Sequence, residues 1–145
     1  FVSNFSFAKS IDGTGIVIDG DTIKIGNKYI RLHGIDAPEL NQTCLFENKS
    51  WDCGKESESF LLELINLKKI KCDITEKDKY GRFVAICYLD HLNINNHIVE
   101  KGWAIAYRFY SLDYIEAEEI AKKNKHGIWK GHFIEPYLFR KKRKN

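Results

Sequence analysis

The chain has 145 residues, 43% hydrophobic and 30% charged, which suits a single domain with a core of useful size, and no apolar run approaches the ~18–20 residues that span a bilayer as a helix. Its net charge of +3 hides an asymmetry: Arg140, Lys141, Lys142, Arg143 and Lys144 carry five positive charges, and the rest holds 18 basic against 20 acidic side chains, a balance of −2. That balance excludes a broadly basic, duplex-coating protein and requires any phosphate affinity to come from local placement.

The chain contains no methionine, so residues that came before Phe1 are expected to have been cleaved off or left out of this sequence. Phe1-Val2-Ser3 suits the region just after a cleaved signal peptide. Residues 15–18 form a β-prone run, Asp19-Gly20 gives a tight-turn signal, and residues 22–25 resume the strand. Gly26-Asn27 is a second turn. Residues 29–35 read as a third strand, with Ile30 and Leu32 on one face and Arg31 and His33 on the other. Ala37-Pro38 ends it, because proline cannot donate to a ladder.

Residues 40–54 read as a long irregular loop. Residues 57–67 then carry Phe60, Leu61, Leu64 and Ile65 at helical spacing, with Glu56 and Glu58 near the positive N-terminal end. Residues 70–74 and 82–89 are two more strands, joined by a turn at Asp78-Lys79-Tyr80-Gly81. Asn95 or Asn96 can cap a short helix that ends at Gly102. A last helix is expected over residues 114–124, with a capping box from Asp113 and Glu116 and a buried stripe of Ala117, Ile120 and Ala121. Lys122, Lys123 and Lys125 suit its negative end, and Gly127 stops it. The basic run 140–145 reads first as a frayed, solubilising tail and second as a phosphate-steering arm. Five strands with a helix after the third predict an α+β domain, a five-stranded oligonucleotide-binding barrel with about three helices.

Four cysteines, Cys44, Cys53, Cys72 and Cys87, form no C-x-x-C pair, which argues against a zinc knuckle. Their even count suits two disulfides in an oxidising compartment, secreted or periplasmic. Of the three possible connectivities the favoured one joins Cys44 to Cys53 across the loop and Cys72 to Cys87 across a strand pair; the alternative is four reduced thiols.

Three clusters could carry chemistry: Asp19-Gly20-Asp21-Thr22, the run from Arg31 to Glu39, and Asp78-Lys79-Tyr80-Gly81-Arg82. Asp21 and Asp36 offer oxygens to a hard cation, although Asp19 and Asp21 equally serve to shape a hairpin turn. The chain holds 18 lysines but only five arginines. Arginine is therefore expected where a planar, permanently charged fork must grip two phosphate oxygens. Arg31 and Arg82 fall in the clusters; the alternative for Arg31 is an ion pair with Asp36 or Glu39. Glu39 is placed to orient or deprotonate a water, or is an ordinary surface glutamate. Tyr80, Tyr107 and Phe109 offer flat faces for unstacked bases, or simply pack the barrel.

Together these clusters resemble the staphylococcal nuclease family, or thermonucleases, over about residues 15–129. Trp51-Asp52-Cys53-Gly54, the run from Gly102 to Arg108 and Gly127-Ile128-Trp129 look like its secreted bacterial branch with cysteine-stapled loops. The resemblance implies calcium held by Asp21, Asp36 and the backbone carbonyl of Ala37. It implies Arg31 and Arg82 on the scissile phosphate, Glu39 beside the attacking water, and Lys79, Tyr80 and Tyr107 at nucleotide contacts. It further implies in-line cleavage of the bond to the 5′ oxygen of DNA or RNA, leaving 3′-phosphates. Three departures stand out: Ala37 where threonine is usual, Phe109 where a second tyrosine is common, and a longer segment at 40–54. The expected partner is nucleic acid alone, with the protein a monomer. The competing readings are a binding barrel that has lost catalysis and the catalytic piece of a larger secreted or envelope protein.

Overall fold

The computed structural model describes residues 9–143; the readings of Phe1-Val2-Ser3 and Lys144 lie outside them. The elements run β1 (Ser10–Asp19), β2 (Thr22–Ile25), β3 (Lys28–Leu32), β4 (Ile35–Asp36), β5 (Cys44–Phe46), β6 (Lys49–Trp51) and α1 (Cys53–Ile65). They continue as β7 (Lys69–Lys77), β8 (Phe83–Leu89), β9 (Leu92–Asn93), α2 (Ile94–Glu100), β10 (Ile105–Ala106), α3 (Ile115–Lys123), a 3₁₀ turn (Gly127–Lys130) and α4 (Pro136–Arg143).

β3, β2, β1, β7 and β8 lie side by side in that order, all antiparallel, and β3 returns to β8 in parallel, pairing Ile30 with Phe83 and Leu32 with Ala85. The result is the expected closed five-stranded barrel of α+β class. Ile11, Ile23, Ile25, Ile30, Leu32 and Ile70 fill it, and Leu61 and Ile65 of α1 join the same core. In β2 and β3 inward Ile23, Ile25, Ile30 and Leu32 alternate with polar or exposed neighbours, which makes these strands one-sided and fixes their register.

The third strand is shorter than its sequence suggests. Gly34 takes φ +73° and breaks it after Leu32. Ile35 and Asp36 then pair with Ala106 and Ile105 rather than with the barrel. The 40–54 segment is not irregular: β5 and β6 form a hairpin whose turn residues, Glu47 and Asn48, sit at φ 51° and 64°. Both central residues at positive φ suit a type I′ turn, and the sequence lacks the glycine that usually advertises one. Cys44–Cys53 closes this segment, and Cys72–Cys87 joins residues directly opposite on β7 and β8, so both favoured disulfides are present.

The helices bring further corrections. α1 begins at Cys53 and ends at Ile65, since Leu67 turns to φ +57°. Asn93, not Asn95 or Asn96, caps α2, accepting from the Asn96 N–H at 3.0 Å. Asn95 is buried and bridges strands: its amide donates to the His33 and Ala85 carbonyls and its oxygen accepts from the Cys87 N–H. The Asp113–Glu116 capping box does not form; α3 starts after Tyr114 with no side-chain cap. Its buried side is Ala117, Glu118 and Ala121, while Ile120 is 37% exposed. Glu118 is fixed there by the Ala106 N–H and by Arg108 at 2.7 Å. The described residues contain four α-helices where about three were expected: the fourth, Pro136–Arg143, extends into the run read as a tail. Proline at the first helical position pre-sets φ and sacrifices no needed N–H.

Candidate active site

The site begins at the β1–β2 turn. The Asp21 N–H donates to Asp19 Oδ1 at 3.0 Å, closing a local turn. A side chain at Gly20 would come within 2.3 Å of Ser57 Oγ and 2.8 Å of the Ala37 β-carbon, so glycine lets this turn lie against α1 and the β4 segment. Asp21 Oδ2 accepts from the Ala37 N–H at 2.8 Å. That bond docks the turn onto the strand carrying Asp36.

Asp21 and Asp36 share one nitrogen. Arg31 Nη2, from β3, lies 3.4 Å from Asp21 Oδ2 and 3.5 Å from Asp36 Oδ1. Arg140 approaches Asp36 from the other side, with Nη1 2.7 Å from Oδ1 and Nη2 3.4 Å from Oδ2. Its Nη1 also lies 3.7 Å from Glu39 Oε1. Glu39 is positioned through its N–H, which donates to the buried Gln42 Oε1 at 3.1 Å, while Gln42 Nε2 donates to the Ile134 carbonyl at 2.6 Å.

Above this floor opens a cleft of about 850 Å³. Asp19, Asp21, Arg31, Glu39 and Arg140 line it together with Lys79, Tyr80, Arg82 and Tyr107. Asp36 is fully buried and does not line the cleft; it meets it through Arg31 and Arg140, which do. Ala37 is buried beside it. Arg82 is held on its own turn, Nε 2.7 Å from Asp78 Oδ2, while Asp78 Oδ1 accepts from the Tyr80 and Arg82 N–H groups. Tyr107 stacks on Tyr137 of α4 with centroids 5.8 Å apart. Phe109 stands outside the lining, 73% exposed, its ring edge-on to both tyrosines. Cys44, Cys53, Cys72 and Cys87 are structural.

The electrostatics reflect four neighbouring carboxylates, Asp19, Asp36 and Glu39 each feeling the charge of Asp21. Burial, then the neighbouring Asp21 charge, push the Asp19 carboxyl up to about 7. The same two causes push Asp36 up to about 6 against the pull of Arg140 and Arg31. Burial opposes ionisation of Asp21 too, but the Arg31 guanidinium and the bonds from its neighbours hold it below the ordinary carboxylate range. Burial also raises Glu39, with Arg140 opposing.

This donor set suits a hard divalent cation: the donors are oxygens, and Asp21 and Asp36 already converge on one positive group. Among the described residues no group of three or more His, Cys, Asp or Glu is arranged to hold a metal. The Ala37 carbonyl, water and substrate oxygens would have to complete the shell. Sequence reasoning missed Arg140 and Tyr137, and that Asp19 lies half-buried in the cleft wall. The arginine-among-lysines signal applied equally to Arg140, and Pro136 followed by Tyr137, Leu138 and Phe139 was a helix signal.

A closed barrel with a carboxylate pair and arginine forks at one end defines a class, the oligonucleotide-binding-fold barrels, here with an arginine-lined cleft. Residues 29–131 match the family model described as staphylococcal nuclease homologue, and the chain belongs to that family. It is 38% identical over 127 residues to the succinoglycan biosynthesis protein ExoI of Rhizobium meliloti, spanning 85% of this chain and 66% of that protein. It is 37% identical over 136 residues to an uncharacterized endonuclease of Haemophilus influenzae, spanning 88% and 71%. Micrococcal nuclease of Shigella flexneri is 29% identical over 147 residues, spanning 89% and 79%. The chain spans only 36% and 35% of the length of two similar rice proteins.

Proposed function

We propose that this protein is a calcium-dependent phosphodiesterase that hydrolyses DNA, and RNA as well, with little sequence preference. One observation carries the reading: Asp21 and Asp36 converge on a single cationic nitrogen, at the floor of a cleft whose walls also bear Glu39 and Arg82. The endonuclease and nuclease names of the relatives agree with it.

In this reading Asp21, Asp36 and the Ala37 carbonyl hold the ion. Bound calcium would supply Lewis acidity to the phosphoryl oxygen, adding positive charge where the transition state develops negative charge. Arg31 and Arg82 grip the equatorial oxygens with planar forks that fit the changing geometry better than a point charge does. Glu39 orients the attacking water and draws on its proton. Lys79, Tyr80 and Tyr107 hold the flanking nucleotides, with Phe109 at the rim to receive an unstacked base. Departure of the 5′ oxygen leaves a 3′-phosphate. The two disulfides suit an oxidising compartment, and we read the protein as secreted or periplasmic.

The test is a fluorogenic oligonucleotide assay with calcium, with magnesium and with chelator. Cleavage that needs calcium and ends in 3′-phosphates is expected. Binding of the oligonucleotide with no product after long incubation with calcium would make this a binding barrel instead.

A further inference from the structure

We infer that Arg140 is a third phosphate-binding arginine, kept in reserve on Asp36 until that carboxylate is given over to a divalent cation. The inference rests on the cation reading above and goes beyond it.

The geometry carries the argument. Arg140 meets both oxygens of Asp36, at 2.7 and 3.4 Å. Asp36 is fully buried, and both arginines that pair with it, Arg31 and Arg140, line the cleft. The two guanidinium groups differ in how they are held. Arg31 belongs to a barrel strand, and its Nη1 donates to the Leu32 carbonyl at 3.0 Å. Arg140 belongs to α4, whose only buried residue is Pro136. α4 is fastened by the Arg140 ion pair, by Tyr137, which stacks on Tyr107 at 5.8 Å, meets Phe109 edge-on and packs half-buried against the cluster of Cys44, Cys53, Ile105 and Ile128, and by an exposed bond from Arg143 to Asn41 at 3.2 Å. A helix with so little apolar anchorage can shift without opening a core.

Arg140 thus neutralises a buried carboxylate whose isolation would be costly. A divalent ion does that job better and repels a guanidinium at the same position. Once displaced, the Arg140 fork is still on the wall of the cleft that Lys141 and Arg82 also line. A phosphodiester entering there offers it new anionic oxygens in bidentate geometry. The exchange keeps the charge of the site near balance at each stage: arginine on aspartate when empty, cation on aspartate and arginine on phosphate when loaded.

The experiment is calorimetry on the wild type, Arg140→Ala and Arg140→Lys, in two stages. Calcium is titrated without nucleic acid; then a mononucleotide phosphorylated at both the 3′ and 5′ oxygens, which has no internucleotide bond to cleave, is titrated into the calcium-saturated proteins. Arg140→Ala should bind calcium about tenfold tighter or more and the bisphosphate about tenfold weaker, with Arg140→Lys between. A merely structural Arg140 would weaken both. Unchanged or weaker calcium binding by Arg140→Ala, or an unchanged bisphosphate affinity, overturns the inference while leaving the cation reading intact. No calcium binding by any of the three overturns both. Should the variants fail to fold, hydrogen exchange on the wild type decides: calcium should speed amide exchange over residues 136–143, and unchanged or slower exchange there overturns the inference.

Discussion

Arg82 sits 2.7 Å from Asp78 and lines the cleft from a turn rather than from the core. Its replacement therefore removes a charge without leaving a cavity. Arg82→Ala is expected to lower kcat by about 10²–10³-fold, as for loss of one transition-state donor, with an unchanged melting curve. Near-normal digestion of single-stranded DNA by the variant would count against its role. His97 offers a second residue-scale test. Burial, aided by Lys101, holds its pKa below 6.5, and its ring stacks on Phe60 at 5.8 Å. As pH falls through 6.5 the unfolded chain takes up the proton first, so this contribution is complete above 6.5 and declines below it. The slope of stability against pH between 7 and 5 should be smaller in His97→Gln than in the wild type, read from urea midpoints. At this scale the sequence was legible where residue type and spacing coincided, as at Asp21, Arg31, Asp36 and Glu39. Arg140 was hidden because a run of like charges reads as solvated until one member finds a buried partner.

The hairpin β5–β6 shows why elements were read less evenly than the barrel. Ile23, Ile30 and Leu32 alternate with polar neighbours, so β2 and β3 announce themselves. Leu45 and Phe46 are exposed, and nothing in their hydrophobicity requires pairing; only the backbone at Glu47 and Asn48 does. Replacing Glu47 by Asn and Asn48 by Gly, the pair that type I′ turns prefer, should stabilise the protein by about 1 kcal/mol, since left-handed backbone costs an ordinary side chain about that much. Differential scanning calorimetry would show the melting point rising by about 2–8 °C; a fall would mean the turn is held by something else. α3 makes the same point from the other direction. Its capping box was written in the sequence at Asp113 and Glu116, yet the helix starts after Tyr114. Tertiary contacts decide the start instead, with Glu118 drawn inward to the Ala106 N–H and Arg108.

For the molecule as a whole, the two disulfides divide the labour. Cys72–Cys87 staples the barrel wall, and Cys44–Cys53 fastens the hairpin beside the Glu39 loop through the start of α1. Replacing both Cys72 and Cys87 by alanine should cost about 2–4 kcal/mol by freeing the unfolded chain, seen as a lower denaturant midpoint with the native fluorescence retained in buffer. The barrel has a further property. Its last seam joins residue 30 to residue 83, in parallel, and such a seam cannot form by zipping outward from a turn. Everything between must first be laid down in order, which makes closure the slow event of folding. A ribosome would have released most of this chain before the barrel could shut. The cleft that depends on that seam, with Arg31 on one of its strands and Arg82 just before the other, would thus come into being only when the barrel closes.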